Sequence, residues 1–553
     1  MFPIHRVTAW TVLAIGLASV AEVSAQISYS TLALSGQPAP DLPAGVIYAD
    51  FSSPHISDAG QTMYRAILSG DGVTTTNSVA IYADKDPAPR LLARSGDAAP
   101  GLAPGETLFT VNTPAPGAVD QFAYHVVLTG PGVSAANEAA IYAGGVSSTQ
   151  LVARGGAAAP GVPAGVVYAS TFHPVVNDSN ELAYLATLAG SGVSGLNDRA
   201  IYAGPFSAPQ LVAREGAVAP SLAPGVNYGS PGLPTLNAAS QVAYFSFLSG
   251  SGVTFSNDEA IFAGAPSAPQ LVARAGDPAL GTPAGVRLSL FSFSIALNDA
   301  GQVAYAASLT GIGVDTSNSN AFYAGPIASP QLIARGGEPA PGAGAGVAYA
   351  MLHDLLLNDV GGVSYSATLT GAGITSANSR AIFAGAMNDP QLIVRSDDAA
   401  PGTAAGVNFL NPLMRFLNDQ GQVVFTSELT GAGVSPANDR GLFFFDPALG
   451  AALIAREGDL FDVGGGDLRT IADDGISVAF GDIRFPSGFS DNGLLAFKLK
   501  FTDGASGVFI ATLVPEPGSL ALVALGLAIS GVAWARCRNS KYALVSLSHS
   551  SAD

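Results

Sequence analysis

The chain has 553 residues, of which 12% are charged and 48% hydrophobic, with 66 glycines and 37 prolines. That much apolar content excludes an intrinsically disordered chain, and the Gly and Pro content fits many short strands joined by tight turns. A net charge of -18 excludes a nucleic-acid partner, because neutralising phosphates requires clustered Lys and Arg.

In chain order, residues 1–25 read as a secretory signal peptide. His5 and Arg6 give a basic start, Ala9 to Ala21 is mostly apolar, and Val23-Ser24-Ala25 places small residues at a cleavage site after Ala25. The apolar run is too short to span a bilayer comfortably.

Residues 26–513 are built from an internal repeat. A Leu-Val-Ala-Arg segment followed by Gly and Ala-Pro places its arginine at Arg94, Arg154, Arg214, Arg274, Arg335, Arg395 and Arg456, at intervals of 60, 60, 60, 61, 60 and 61 residues. An eighth copy without the arginine runs from Leu34 to Pro40. A second marker, Asn-x-x-Gly-x-x-x-aromatic, appears at Asn298 to Tyr305, Asn358 to Tyr365 and Asn418 to Phe425, with matching aromatics at Tyr64, Tyr124, Tyr184, Tyr244 and Phe497. Its glycine is missing at Val119-Asp120-Gln121 and at Asn237-Ala238-Ala239-Ser240.

Each unit predicts four strands. In residues 226–274 they start at Val226, run from Gln241 to Leu248, from Ala260 to Ala263 and from Gln270 to Arg274. The second strand is apolar on both faces, so its sheet must be sandwiched between neighbours, as propeller blades are. The body opens on Ile27 to Leu34, equivalent to a fourth strand, and ends on Gly507 to Leu513, equivalent to a third. Pairing them would close a ring and remove exposed edges. The expectation is an all-β, eight-bladed β-propeller; a seven-bladed ring with one irregular unit and an open β array are the alternatives.

Candidate chemistry is sparse. The repeat arginines are expected to be structural, pairing with carbonyls between blades or with the marker aspartates Asp58, Asp178, Asp299, Asp359, Asp419 and Asp491. The competing reading is an arginine ring binding an anionic polymer in the central channel. The repeated Asn137, Asn197, Asn257, Asn318, Asn378 and Asn438 read as turn formers. His55, His125, His173 and His353 are scattered, though a ring could gather them. No zinc-protease, nucleophile-elbow, phosphate-loop or EF-hand pattern occurs, which points away from an enzyme. The last unit is long, 72 residues from Gly421 to Gly493, and its extra stretch carries Glu457, Asp459, Asp462, Asp467, Asp473, Asp474 and Asp482 around Gly464, Gly465 and Gly466. Asp459, Asp462 and Asp467 are weak candidates for binding Ca²⁺; no other cofactor is expected.

The C-terminal segment, residues 514–541, begins Val514-Pro515-Glu516-Pro517, continues with the apolar run Leu520 to Ala535, and ends in Arg536, Cys537, Arg538 and Lys541. The run is 16 residues, about 24 Å of helix against a ~30 Å hydrocarbon core, a marginal membrane helix whose basic flank would stay cytoplasmic. Residues 542–553 form a short polar tail. Cys537 is the only cysteine, so the body can hold neither a disulfide nor a Cys-ligated metal. The Pro-Glu-Pro, helix and basic cluster resemble the PEP-CTERM sorting signal, with Val514, Pro515, Glu516, Pro517, Arg536 and Arg538 as its motif residues. That resemblance implies an exosortase-type partner, release near Pro515 to Pro517, and an exported cell-surface or extracellular protein transiently anchored in the inner membrane by residues 520–535. The body resembles bacterial tandem-repeat proteins of an N-x-x-G-x-x-A-F pattern, which implies export and display without an established activity. The expected function is a non-catalytic structural or binding protein of the cell surface or extracellular matrix, with extracellular polysaccharide as a partner to test. The alternative is a secreted enzyme acting on such a polysaccharide, which should bring two or more carboxylates into one pocket at about 5–10 Å.

Overall fold

The repeat turns into a blade through its second and third strands. In blade 4 the register places Tyr244 directly opposite Phe262, and the rings stack with centroids 5.7 Å apart. The same cross-strand pair recurs as Tyr64–Tyr82, Tyr184–Tyr202, Tyr305–Tyr323, Tyr365–Phe383 and Phe425–Phe443. Each such pair contributes about 0.5–1.5 kcal/mol beyond its burial. The second strand then ends on a glycine that tolerates no replacement: a Cβ on Gly250 would sit 2.1 Å from the Gly225 carbonyl oxygen, at a φ of +106°.

The computed structural model describes residues 26–84, 89–112, 114–117, 120–146, 148–479 and 488–514. They form eight antiparallel sheets, and the first seven cover 46–94, 107–154, 166–214, 226–274, 286–335, 347–395 and 407–456, hereafter blades 1 to 7. In every one the four main strands lie in sequence order across the sheet. Blade 8 joins Leu460–Asp462, Leu468–Val478, Leu494–Phe501 and Ser506–Val514, and its edge is Gln26–Leu34 from the other end of the described chain. The Ser35 N–H donates to the Ser506 carbonyl at 2.8 Å, and the Ser506 N–H donates to Ser35 Oγ at 2.9 Å. The protein is thus an eight-bladed β-propeller closed by its own ends, as the repeat count predicts.

Packing between blades explains the doubly apolar second strand. Tyr228, Tyr244 and Phe262 of blade 4 pack with Ala183, Leu185 and Ile201 of blade 3. The opposite face, with Ala243, Phe245 and Ile261, packs against Tyr305 and Tyr323 of blade 5. Each blade presents its stacked aromatic pair to its predecessor, while its other face meets its successor mostly with small or branched residues, joined by Phe245 in blade 4 and Phe322 in blade 5, an interdigitation that fills the space between sheets. At the closure, Ala33 and Val508 of blade 8 join Tyr48, Tyr64 and Tyr82 of blade 1.

Candidate functional site at the ring axis

The marker segment follows the innermost strand of its blade and lands at the axis, carrying aspartate in six of the eight blades. A cavity of about 250 Å³ there is rimmed by Asp58, Asp178, Asp299, Asp359, Asp419 and Asp491, contributed by blades 1, 3, 5, 6, 7 and 8. Two concentric chains of hydrogen bonds hold it. Asn Nδ2 donates to the equivalent carbonyl of the next blade from Asn177 to Asn237, Asn237 to Asn298, Asn298 to Asn358 and Asn358 to Asn418, at 2.8–2.9 Å. Asn418 reaches Ser490 at 3.3 Å. Beside it, the Ala238 N–H donates to Asp299 Oδ1, Asp299 to Asp359, Asp359 to Asp419 and Asp419 to Asp491, at 2.6–2.8 Å.

The crowding of like charges shows in their acidity. Burial, reinforced by Asp491, Asp359, Asp178 and Asp419, pushes the Asp58 carboxyl up to about 7. Burial also raises Asp359 to about 6, against the bond it accepts from Asp299 and with the repulsion of Asp299, Asp419 and Asp491. Asp178 and Asp491 are raised chiefly by burial as well. One oxygen each of Asp58, Asp359 and Asp491 lies within 4.8 Å of the others. Chemically, such a belt can take up protons near neutral pH or attract a cation.

The marker turn keeps its backbone even where its glycine is absent. Gly60, Gly301, Gly361 and Gly421 all have positive φ, and so do their counterparts Asp120 (65°), Asn180 (63°) and Ser240 (61°).

The repeat arginines lie elsewhere. They end the fourth, outermost strand, and each Nε donates to the carbonyl of the loop asparagine in its own blade: Arg94 to Asn77, Arg154 to Asn137, Arg214 to Asn197, Arg274 to Asn257, Arg335 to Asn318, Arg395 to Asn378 and Arg456 to Asn438, at 2.7–3.0 Å. The expected pairing with the marker aspartates is corrected by this placement, since the aspartates are at the axis and the arginines at the rim, and the carbonyls lie within a blade rather than between blades. An arginine ring in the central channel is corrected for the same reason. Arg154 does find a carboxylate, at 2.7 Å, but it is Glu106, which stands where the other blades carry Val46, Val166 or Val226. The loop asparagines act as turn formers: Asn257 Oδ1 accepts the Thr254 N–H at 2.8 Å and its Nδ2 donates to Gly252 O at 3.1 Å.

The acidic stretch after Arg456 does not gather its weak Ca²⁺ candidates. Asp462 Oδ1 accepts the N–H groups of Gly464 and Gly466, while Asp467 pairs with Arg469 at 2.8 Å. Burial, moderated by Arg456, raises Asp459. The residues that do converge are Glu457, Asp473 and Asp474. No signal in the spacing singled them out, because they meet across two blades. The histidines are not gathered into one site either: His125 is held neutral, down to about 4, by burial and then His173, whereas His353 contacts Thr368 and Arg380. Of the sorting residues, Val514 ends the last strand of blade 8; Pro515, Glu516, Pro517, Arg536 and Arg538 lie outside the described residues, as do the signal peptide and the apolar run 520–535. Among the described residues no helix is long and apolar enough to cross a membrane.

Fold and tail together define a closed β-propeller carrying a C-terminal sorting signal: residues 513–538 match the PEP-CTERM protein-sorting motif, which implies processing by an exosortase and an exported, surface-sorted protein. Residues 18–390 and 329–521 match the profile of DUF7453, a family of unknown function, and the chain belongs to that family. No curated protein sequence matches it. Among solved structures, a Mycobacterium tuberculosis puromycin-hydrolysing peptidase aligns at 13% identity and a TM-score of 0.35, over 85% of this chain and 62% of that one. This chain therefore spans under two thirds of that peptidase's length. The β-propeller domain of the trilobed protease from Pyrococcus furiosus aligns at 10% identity and TM-score 0.34, over 74% and 99% of the two chains. A GH43 β-1,3-galactosidase aligns at 11% identity and TM-score 0.22, over 51% and 91%.

Proposed function

We propose that the chain is a non-catalytic structural or binding protein of the cell surface or extracellular matrix, delivered by a signal peptide cleaved after Ala25 and released from a transient inner-membrane anchor near Pro515 to Pro517. The observation that supports a non-catalytic role is the use made of the axial carboxylates: Asp299, Asp359, Asp419 and Asp491 each accept a main-chain N–H from the preceding blade. Groups that hold the ring together are poor candidates for moving during a reaction. The exported protein, applied to an array of extracellular polysaccharides with and without Ca²⁺, should bind without shortening the chains it captures. Absence of binding under every condition would reduce the role to a structural one.

One observation favours the alternative, an enzyme acting on extracellular polysaccharide. The oxygens of Asp58, Asp359 and Asp491 converge, with Asp58 raised to about 7 in the manner of a general acid. Carboxylates brought this close are of the kind retaining glycosidases use, at ~5–5.5 Å. Reducing-end release from a polysaccharide panel, abolished in Asp58→Asn, would establish the enzyme; no release by the wild-type chain removes it.

A further inference from the structure

Glu457 follows directly on Arg456 at the end of blade 7. It is 1% exposed, and neither of its carboxylate oxygens has a hydrogen-bond partner among the described residues. An unpaired buried carboxylate costs several kcal/mol, so the position calls for a proton or a cation. The comparison within the chain is direct: Glu215, which follows Arg214 in blade 3, uses its Oε2 to accept the Arg199 N–H at 3.3 Å. Glu457 makes no such bond.

What Glu457 meets instead is the first strand of blade 8. The register of Leu468–Val478 breaks between Ile471 and Ile476, and the residues left out of the ladder include the exposed pair Asp473 and Asp474, the latter at a φ of 50°. One oxygen from each of Glu457, Asp473 and Asp474 lies within 4.8 Å of the other two. Three carboxylate oxygens this close can ligate one cation, and Ca²⁺, with six to eight oxygen ligands at about 2.3–2.6 Å in flexible geometry, suits a set drawn from two strands better than Mg²⁺, which demands near-ideal octahedral geometry. The crowding of like charge is also visible at Glu457. Burial, offset by Arg440 and reinforced by Asp473, Asp439 and Asp474, pushes Glu457 up to about 7. Among the described residues Arg440 is the one cation that acts on Glu457, and it is engaged with Asp474.

We propose that Glu457, Asp473 and Asp474 hold a Ca²⁺ ion that ties blade 7 to blade 8. The donor set is all oxygen and lacks His or Cys, which suits a hard cation over zinc. Glu457 supplies the buried anchor, and the two exposed aspartates form the entry, with water completing the shell. The site is independent of any polysaccharide-binding role.

The test is thermal unfolding of the full chain after EDTA treatment, with Ca²⁺ or Mg²⁺ restored at about 1 mM, together with elemental analysis after dialysis. Ca²⁺ should raise the midpoint by roughly 2–5 °C and leave one ion per chain, and Mg²⁺ should do much less. Glu457→Gln should melt no lower than wild type in EDTA and lose the Ca²⁺ increment; Asp58→Asn, at the axial carboxylates, should keep it. Should Glu457→Gln fail to fold, the exposed Asp473→Asn serves, with an expected loss of at least tenfold in Ca²⁺ affinity. The proposal is overturned by a wild-type chain that neither retains the ion nor responds to it, by an equal response to Mg²⁺, or by an increment that survives Glu457→Gln and disappears in Asp58→Asn.

Discussion

The arc from blade 3 to blade 8 and the arc through blades 8, 1 and 2 solve one problem in two ways. The first uses asparagine: five successive junctions carry the Nδ2-to-carbonyl bond that starts at Asn177 and ends at Ser490. In the second arc the asparagine is replaced by Ser490, Ser57 and Gly117, and long basic side chains on the second strand cross the gap instead. Lys498 Nζ of blade 8 donates to the Phe51 carbonyl of blade 1 and pairs with Asp50 at 2.7 Å. Arg65, at the same register in blade 1, donates from Nε to the Val111 carbonyl of blade 2 at 3.2 Å. Where the described chain's two ends meet, cohesion rests on charge and on a borrowed strand; elsewhere it rests on a repeated belt of asparagine and aspartate side chains bonded to the main chain of the adjacent blade.

The most disruptive way to probe this difference is to remove the borrowed strand. A chain lacking residues 26–34 exposes the third-strand edge of blade 8, and we expect aggregation or a fall in melting midpoint of about 10 °C or more, read by calorimetry. Supplying those residues as a separate peptide should recover part of the loss. Next in size is Lys498→Ala, expected to cost about 1–3 kcal/mol by urea unfolding, since Lys498 is only 6% exposed and its loss leaves the Phe51 carbonyl without its donor, while the half-exposed Asp50 keeps the Ser506 hydroxyl. Asn358→Ala should cost about 1–3 kcal/mol, because Asn418 O and the Gly362 N–H both lose a buried partner. Raising salt should narrow the gap between Lys498→Ala and wild type more than that between Asn358→Ala and wild type; equal sensitivity would dissolve the contrast.

Much of this architecture was legible in the sequence, for a physical reason. A repeat of constant length forces equivalent residues into equivalent places, so the blade count, the strand order and the zipped ends followed from spacing alone, and so did the marker aromatics, which became stacked pairs such as Tyr305 and Tyr323. What spacing cannot supply is radial position. Arg274 and Asp299 lie close in sequence and belong to the same repeat pattern, yet one sits on the outer strand and the other on the axis. The pairing of the two markers was misread for that reason. The convergence of Glu457 with Asp473 and Asp474 was hidden too, because it depends on a local break in one ladder.

A smaller test concerns protons. Asp58 is raised to about 7 in the folded ring, well above the ~3.9 of an unfolded aspartate. A raised carboxyl favours the folded state while it is protonated, so its contribution is complete below about pH 4 and disappears as pH climbs through 7. The melting midpoint should therefore fall between pH 5 and 8. Asp58→Asn should gain roughly 1–3 °C at pH 8 and nothing at pH 4, and an unchanged pH profile would show that the axial charges do not repel as their placement demands.

The finest probe is a single backbone turn in each arc. Ser240 in blade 4 and Asp120 in blade 2 both occupy the marker-glycine slot with left-handed φ, at 61° and 65°. An L-residue pays about 1–2 kcal/mol for that conformation, which glycine does not. Ser240→Gly should therefore stabilise the protein by about 1 kcal/mol, because its bond to Asn237 uses only the main-chain N–H. Asp120→Gly relieves the same strain but removes the carboxylate that accepts the Val146 N–H at 3.2 Å, a bond worth about 1 kcal/mol. The gain should cancel, leaving Asp120→Gly close to wild type by urea unfolding. If both variants gain equally, the Asp120 carboxylate adds nothing to its turn, and blade 2 is held at that position by the main-chain N–H that Asp120 donates to Gln61 Oε1 of blade 1 at 3.0 Å.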